Sequence, residues 1–414
     1  MHRFLYLVIV LLIFGCAGTR HTGEEQPKKS ENSLKELKET VAKNPGDFHS
    51  YFQLGKMAAA NGDTLAALNY LDSVLVIRKN YSEARLFKGE LFYKRGRVKT
   101  ALEEWILLME QDTSSVWSTR IGAMVGMLYP VRQVTDSRTD NANPCYDPAG
   151  ERIVYQSKQN NNWDIFLMNR TGGDVVQLTR NPLNDETPVF ANAKTIYFNR
   201  QQSADKELRD IYAFDLATRT EKAVIIHPAD DWYPAPDPDG KWLFFVSDRE
   251  SEGNTHSKIF KFDLVSRQIF PVLVSDSDYS SPWVNQVKEE FLFTLKMNNY
   301  YSLFKGHFNG KELTRLSERD MDFGAPKFSP DGKKVVFFSK IANNFDLFEL
   351  NLDTEELVRL TAHPKSDLSP SYAPDGKHII FYSNRAGRYQ IYEMNLVQPF
   401  TRAQILDWLR VSSR

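Results

Sequence analysis

Two cysteines in 414 residues cannot build a disulfide framework or a cysteine-based zinc site. There is no basic surplus: 52 Lys and Arg face 53 Asp and Glu, a net charge of −1, so the electrostatic footprint of a nucleic-acid binder is missing. Mean hydropathy is −0.46, which excludes a polytopic membrane protein. Sequence motifs of catalysis are missing too. The chain has no Gly-x-Ser-x-Gly elbow, His-Glu-x-x-His, phosphate-binding loop or Gly-x-Gly-x-x-Gly, and its eight histidines are dispersed without metal-ligand spacing. What it has in quantity is aromatic residues, 13% with 27 Phe and 18 Tyr, and these suit a pleated, half-buried surface.

Residues 1–15 read as a secretory signal. Met1-His2-Arg3 precedes eleven uncharged apolar residues, Phe4 to Phe14. As a helix this run spans about 16 Å, half of a bilayer core, too short to cross. Ile13-Phe14-Gly15-Cys16 then resembles the bacterial lipobox, and the resemblance implies cleavage before Cys16 and diacylation of its thiol. An ordinary cleaved signal with an incidental cysteine is the alternative. Lipidation would anchor the protein to a membrane, and Ala17-Gly18 after the cysteine, without an Asp, points to the outer membrane, facing the periplasm. Residues 16–30 hold the candidate lipidated Cys16 and a polar stretch expected to be a flexible tether.

Residues 31–129 carry helical patterning with a period of 34. Gly55 recurs as Gly89, Gly62 as Gly96, Ala67 as Ala101, and Leu71 as Trp105. The small residues let paired helices approach, and Leu71 or Trp105 fills the space between them. The pattern resembles tetratricopeptide repeats, which implies a short α-helical solenoid and either a docking groove or a spacer.

From residue 130 the period changes. Pro144, Pro188, Pro234, Pro282, Pro326 and Pro370 are spaced by 44, 46, 48, 44 and 44 residues. A short strand is expected after each, then a turn, of which Asp237-Pro238-Asp239-Gly240 and Ser329-Pro330-Asp331-Gly332 are examples. Four strands per period, six times over, predict a six-bladed all-β propeller over residues 130–400. The sixth repeat lacks a fourth strand. Residues 131–135, which read like 175–179, are expected to supply it and close the ring. Thr401-x-x-Gln404 starts a terminal helix, leaving 401–414 as helix and tail. The expected fold class is thus α + β multidomain, a helical solenoid followed by a propeller.

Pro326-x-Phe328-Ser329-Pro330-Asp331-Gly332-Lys333, then Val336-x-Phe338-Ser339, Asp346-Leu347-Phe348 and Leu360-Thr361, resemble the TolB-type propeller repeat, and Pro370 to Met394 does so again. The resemblance covers about two thirds of the chain. Ala191-Asn192-Ala193-Lys194 and Val284-Asn285-Gln286-Val287 depart from the Pro-Asp-Gly turn. The resemblance implies an envelope protein that binds protein or peptide partners at its channel mouth, without cofactors.

An acid stands three or four residues before each repeat proline: Asp140, Asp185, Asp230, Asp278, Asp322 and Asp367. Two readings are open. The six carboxylates form a negative ring at the mouth for a basic peptide or cation, or each Asp caps its own turn. Trp232, Tyr233, Tyr279 and Phe323 in the same loops are candidates to stack on a ligand or to pack between blades. Cys145 in an inner strand is expected to be a buried free thiol. The sequence therefore favours a non-catalytic scaffold. The alternatives are a propeller lyase or hydrolase acting on glycan or peptide and a surface lipoprotein capturing an external ligand. A His, Arg and acid cluster facing the channel would mark the enzyme.

Overall fold

The structure, a computed structural model, describes residues 25–136, 138–159, 161–249, 256–316, 321–341 and 344–414, with side chains from residue 33 on. The signal and Cys16 lie outside the described residues. Two compact units are present. One contains the six amino-terminal helices and the terminal helix, and the other spans Val125–Pro399.

The first six helices are α1 (Glu25–Lys43), α2 (Phe48–Ala60), α3 (Thr64–Ile77), α4 (Ser82–Lys94), α5 (Val98–Gln111) and α6 (Ser115–Val125). α1 starts inside the segment expected to be a tether. Its only strong breaker, Pro27, falls in the first turn, where a missing N–H costs nothing. Asp47 and Asp63 cap α2 and α3 by accepting backbone N–H bonds. Gly62 and Gly96 end the first helix of each pair at φ +81° and +73°. The 34-residue recurrence has a structural counterpart. A Cβ on Gly55 would sit 3.4 Å from Leu71, and one on Gly89 only 2.2 Å from the Trp105 ring nitrogen. Trp105 is fully buried and donates to the Leu86 carbonyl at 3.2 Å. α6 stops at Val125, short of the expected Tyr129, because Gly126 turns the chain at φ +72°. The terminal helix α7 (Arg402–Ser412) begins with the Thr401–Gln404 capping box. It belongs to the helical unit rather than forming a free tail. Ile405, Leu406 and Leu409 are buried, and Arg410 meets Glu110 of α5 at 2.8 Å.

The second unit is a six-bladed propeller of six four-stranded antiparallel sheets among the described residues. Its inner strands are Asn141–Tyr146, Asp185–Phe190, Asp231–Pro236, Tyr279–Val284, Phe323–Phe328 and Asp367–Tyr372. Aromatic and branched residues of neighbouring blades fill the space between sheets, among them Phe198, Phe244, Phe245, Phe291, Phe337 and Phe381, all fully buried. Val131–Gln133 pairs with Gln390–Asn395 as the outer strand of the sixth blade, in the register Val131↔Met394. A side chain repeats with it. The Thr135 hydroxyl accepts the N–H of Ile391 at 2.9 Å, as Thr179 accepts that of Ile165 at 2.9 Å and Thr361 that of Leu347 at 3.0 Å. The two departing turns survive because an Asn does the work of the turn acid. Asn192 accepts from Lys194 and Thr195, and Asn285 from Val287.

Candidate functional site

The repeat prolines do not precede the inner strands, as expected, but sit within them. In each blade the pairing shifts by one residue around the proline, for example between Ala142↔Gln156 and Cys145↔Val154. The residue before it takes a positive φ: Asn143 49°, Thr187 50°, Tyr233 54°, Ser281 51°, Ala325 44° and Ser369 47°. Proline has no N–H to give a ladder, so a strand holds it only where the ladder is interrupted. The bulge supplies that interruption, at a backbone cost of order 1–3 kcal/mol for a non-glycine residue at positive φ. Six such bulges encircle the propeller axis.

Two cavities lie on that axis, each lined from all six inner strands. The smaller, about 70 Å³, is bounded by the six pre-proline residues and by Trp283 and Lys327. The larger, about 280 Å³, lies toward the strand ends, where Cys145, Val189, Ala235, Trp283 and Ser371 meet the prolines of the turns. Trp283 borders both cavities. Cys145 is a buried free thiol, and burial pushes it above the usual thiol range. The Asp147 carboxylate at the edge of the larger cavity is committed to Arg152 at 2.9 Å and to two turn N–H groups. Among the described residues no group of three or more His, Cys, Asp or Glu is placed to hold a metal ion.

The six loop acids stand at two depths rather than in one open ring. Asp185 and Asp367 begin their strands, fully buried, and each holds an arginine through two bonds, Arg200 at 2.7 and 2.8 Å and Arg385 at 2.7 and 2.8 Å. In the third blade the corresponding acid is Asp231, paired with Arg249, not Asp230. The acids one position earlier link blades. Asp140, Asp230, Asp278 and Asp322 accept backbone N–H bonds from in or just before the third strand of the preceding blade, at Tyr389 (3.0 Å), Arg209 (2.8 Å), Ser257 (3.3 Å) and Tyr301 (3.1 Å). Asn184 does the same for Trp163 at 2.9 Å. Asp230 also pairs with the Arg209 guanidinium, and Asp278 with His256 and Lys296. The carboxylates are thus engaged by basic side chains and by backbone N–H groups. Spacing from the proline merged two positions with separate structural uses.

The aromatic candidates separate as well. Tyr279 and Phe323 are buried, Tyr279 5.9 Å from Phe293 and Phe323 4.7 Å from Phe337. Trp232 is half-buried under the Arg209 guanidinium, 5.0 Å from its ring centre. Tyr233 is 37% exposed and lines the small cavity. Spacing missed Lys327, the residue after the fifth repeat proline. Its signal was a charge at a position that elsewhere carries Cys, Val, Ala, Trp or Ser.

Residues 309–403 match the family model of the TolB beta propeller domain. Among curated proteins none matches the chain. Solved propellers are similar in fold. A protein described as TolB from Agrobacterium tumefaciens superposes with a TM-score of 0.51 at 14% identity, over 64% of this chain and 93% of that one. TolB from Acinetobacter baumannii gives 0.48 at 16%, over 70% of each chain. An oligogalacturonate lyase from Vibrio parahaemolyticus gives 0.49 at 13%, over 64% and 93%. At such identities the likeness is one of fold. Taken with the repeat motifs and the six closed blades, the family-model match makes the second unit a TolB-like six-bladed β-propeller, preceded among the described residues by six helices.

Proposed function

We propose that this chain is a non-catalytic envelope lipoprotein that brings proteins together. In this reading Cys16 carries the lipid at the outer membrane, and the helical unit, read as tetratricopeptide-like, offers one docking surface. The propeller mouth, ringed by Asn143, Thr187, Tyr233, Ser281, Ala325 and Ser369, offers the other. The observation that carries the reading is the lining of the channel. Prolines, small residues, aromatics, hydroxyls and amides make up most of both walls. Of the two charged side chains there, Lys327 has no acid beside it among the described residues to act with, and Asp147 is committed to a turn and an arginine. A lyase or hydrolase needs an acid–base pair positioned on its substrate, and this lining supports binding instead. The likeness to TolB agrees with it and adds fold only.

The test uses the full chain in cells. A photocrosslinking amino acid replaces Tyr233 or Ser369 at the mouth, and Val265, 84% exposed elsewhere on the propeller, serves as control. Discrete protein adducts from the mouth positions, absent from the control, are expected. Adducts that are the same from all three positions, or none at all, would refute docking at the mouth. Membrane fractionation with C16S tests the anchor, with release into the soluble fraction as the expected result.

A further inference from the structure

Four buried or partly buried arginines of this propeller have acids. Arg249 pairs with Asp231, Arg385 with Asp367, Arg200 with Asp185, and Arg170 with Glu393. Lys327 does not. It is only 9% exposed, and among the described residues its ammonium has no carboxylate within ion-pair distance and no hydrogen-bond acceptor. It lies over the face of Trp283, with Nζ 4.5 Å from the ring centre, and the buried Cys145 thiol is close enough to interact with it electrostatically. Burial pushes its ammonium below the usual lysine range. A charge in such a place is costly unless something pairs with it.

Its position says what would pair with it. Lys327 is the one charged side chain lining the small axial cavity. Around it stand Asn143, Thr187, Tyr233, Ser281 and Ser369, all with N–H or O–H groups. Asn143 gives one amide N–H to Gln156 at 2.9 Å and keeps the other, and Ser281 Oγ shares a bond with Ser280 Oγ at 3.4 Å. The Thr187 oxygen already accepts from Asn199, which leaves the hydroxyl proton to give. A single cation ringed by neutral donors matches a monoanion with two acceptor oxygens. A metal cation is excluded by the ammonium. A phosphate dianion would call for more positive charge than one lysine. The cavity of about 70 Å³ takes the anionic group and its first carbons, not a sugar ring. Trp283 offers an apolar face beside it for the adjoining carbons.

We propose that Lys327 is the floor of a carboxylate-binding site inside the propeller channel. The carboxylate is supplied either by a small free acid or by the end of a peptide chain, and the chemistry of recognition is the same for both. The site shares its lining with the mouth of the scaffold reading and names a ligand chemistry for it, and its test fails separately from that reading because titration with pure acids needs no protein partner.

Isothermal titration of the full chain at fixed ionic strength tests it, with butyrate and N-acetyltriglycine as probes and their carboxamides as neutral controls. At least one acid is expected to bind and its amide not. K327M should weaken that acid about 10- to 100-fold, the scale of a charge-assisted hydrogen bond, and K327R should retain most of the affinity. Binding of butyrate alone assigns free acids, and binding of the tripeptide alone assigns chain ends. Without ligand K327M should melt no lower than wild type, since it removes an unpaired charge. The proposal is overturned if neither acid binds, if amides bind as well as acids, or if K327M binds like wild type. It is also overturned if K327M is less stable or fails to fold, which would make Lys327 a structural cation.

Discussion

Replacing Arg249 by Met tests whether the loop acids are structural. Asp231 is fully buried and receives two bonds from Arg249, at 2.8 and 2.7 Å, while Arg249 also donates to Ser247 Oγ at 2.9 Å and covers Phe245 and Phe260. Burial already lifts the Asp231 carboxyl above its ordinary value of 3.8, against the pull of Arg249. Without the arginine, R249M must either keep a lone buried carboxylate or protonate it. Protonation sets the ceiling. Holding a carboxyl of ordinary value 3.8 neutral costs about 4 kcal/mol at pH 7 and about 1.6 kcal/mol at pH 5. This agrees with the roughly 3–5 kcal/mol typical of a broken buried pair. The sign follows from linkage. A carboxyl whose folded pKa is raised binds more protons folded than unfolded, so R249M gains stability relative to wild type as pH falls from 7 to 5. Melting of the full chain, followed by the propeller's near-ultraviolet signal, should show a loss of roughly 10 °C at pH 7 and less than half of that at pH 5. D231N/R249M should recover most of the loss at pH 7. A loss below about 1 kcal/mol at pH 7, or one that widens on acidification, would refute the reasoning.

Ring closure is probed by T135V. It strips the Ile391 N–H of its acceptor and should cost about 1–3 kcal/mol, with T361V, in an equivalent place, costing about the same. Urea unfolding would contradict the closure role if T135V alone were silent. G89A should destabilise the helical unit by about 1–3 kcal/mol through overpacking against Trp105, read by circular dichroism at 222 nm, whereas a neutral outcome would mean that the helix pair can spread. Burial pushes the Asp346 carboxyl up to about 6, with Arg359 acting in the opposite sense. Wild type should therefore gain stability as pH drops from 7 through 6, and D346N should lose part of that dependence, with Asp164, which burial also pushes up to about 6, retaining another part. A titration midpoint for Asp346 near the ordinary carboxylate value, measured by carbon NMR, would contradict this.

Much of this architecture was legible in the chain because repetition multiplies weak signals. One Pro-Asp-Gly turn says little, but six prolines at 44–48-residue spacing define a blade count, and the likeness of 131–135 to 175–179 located the closing strand before any pairing was seen. Gly55 with Leu71 and Gly89 with Trp105 were readable for the same reason, since small and large residues at a fixed period must meet. The loop acids were legible as residues but not as roles. Asp230 and Asp231 are neighbours in the chain, yet one accepts a backbone N–H from the preceding blade and the other sits buried on an arginine of its own blade. Which of these an acid does depends on a strand start displaced by one residue, and periodicity does not resolve one residue.

The amino-acid sequence by itself determined the number of blades, the closure of the ring across its two ends, the helical pairing and the capped terminal helix, because these rest on local turn chemistry and on hydrophobic period. Only the tertiary structure decided that each repeat proline lies in a bulge, that the acids are engaged by basic side chains and backbone, and that Lys327 lines the small axial cavity without a carboxylate partner among the described residues. Those features depend on which residues of six distant strands converge on one line, and pairing, burial and charge balance at such a point are properties of the assembled ring, not of any segment of the chain.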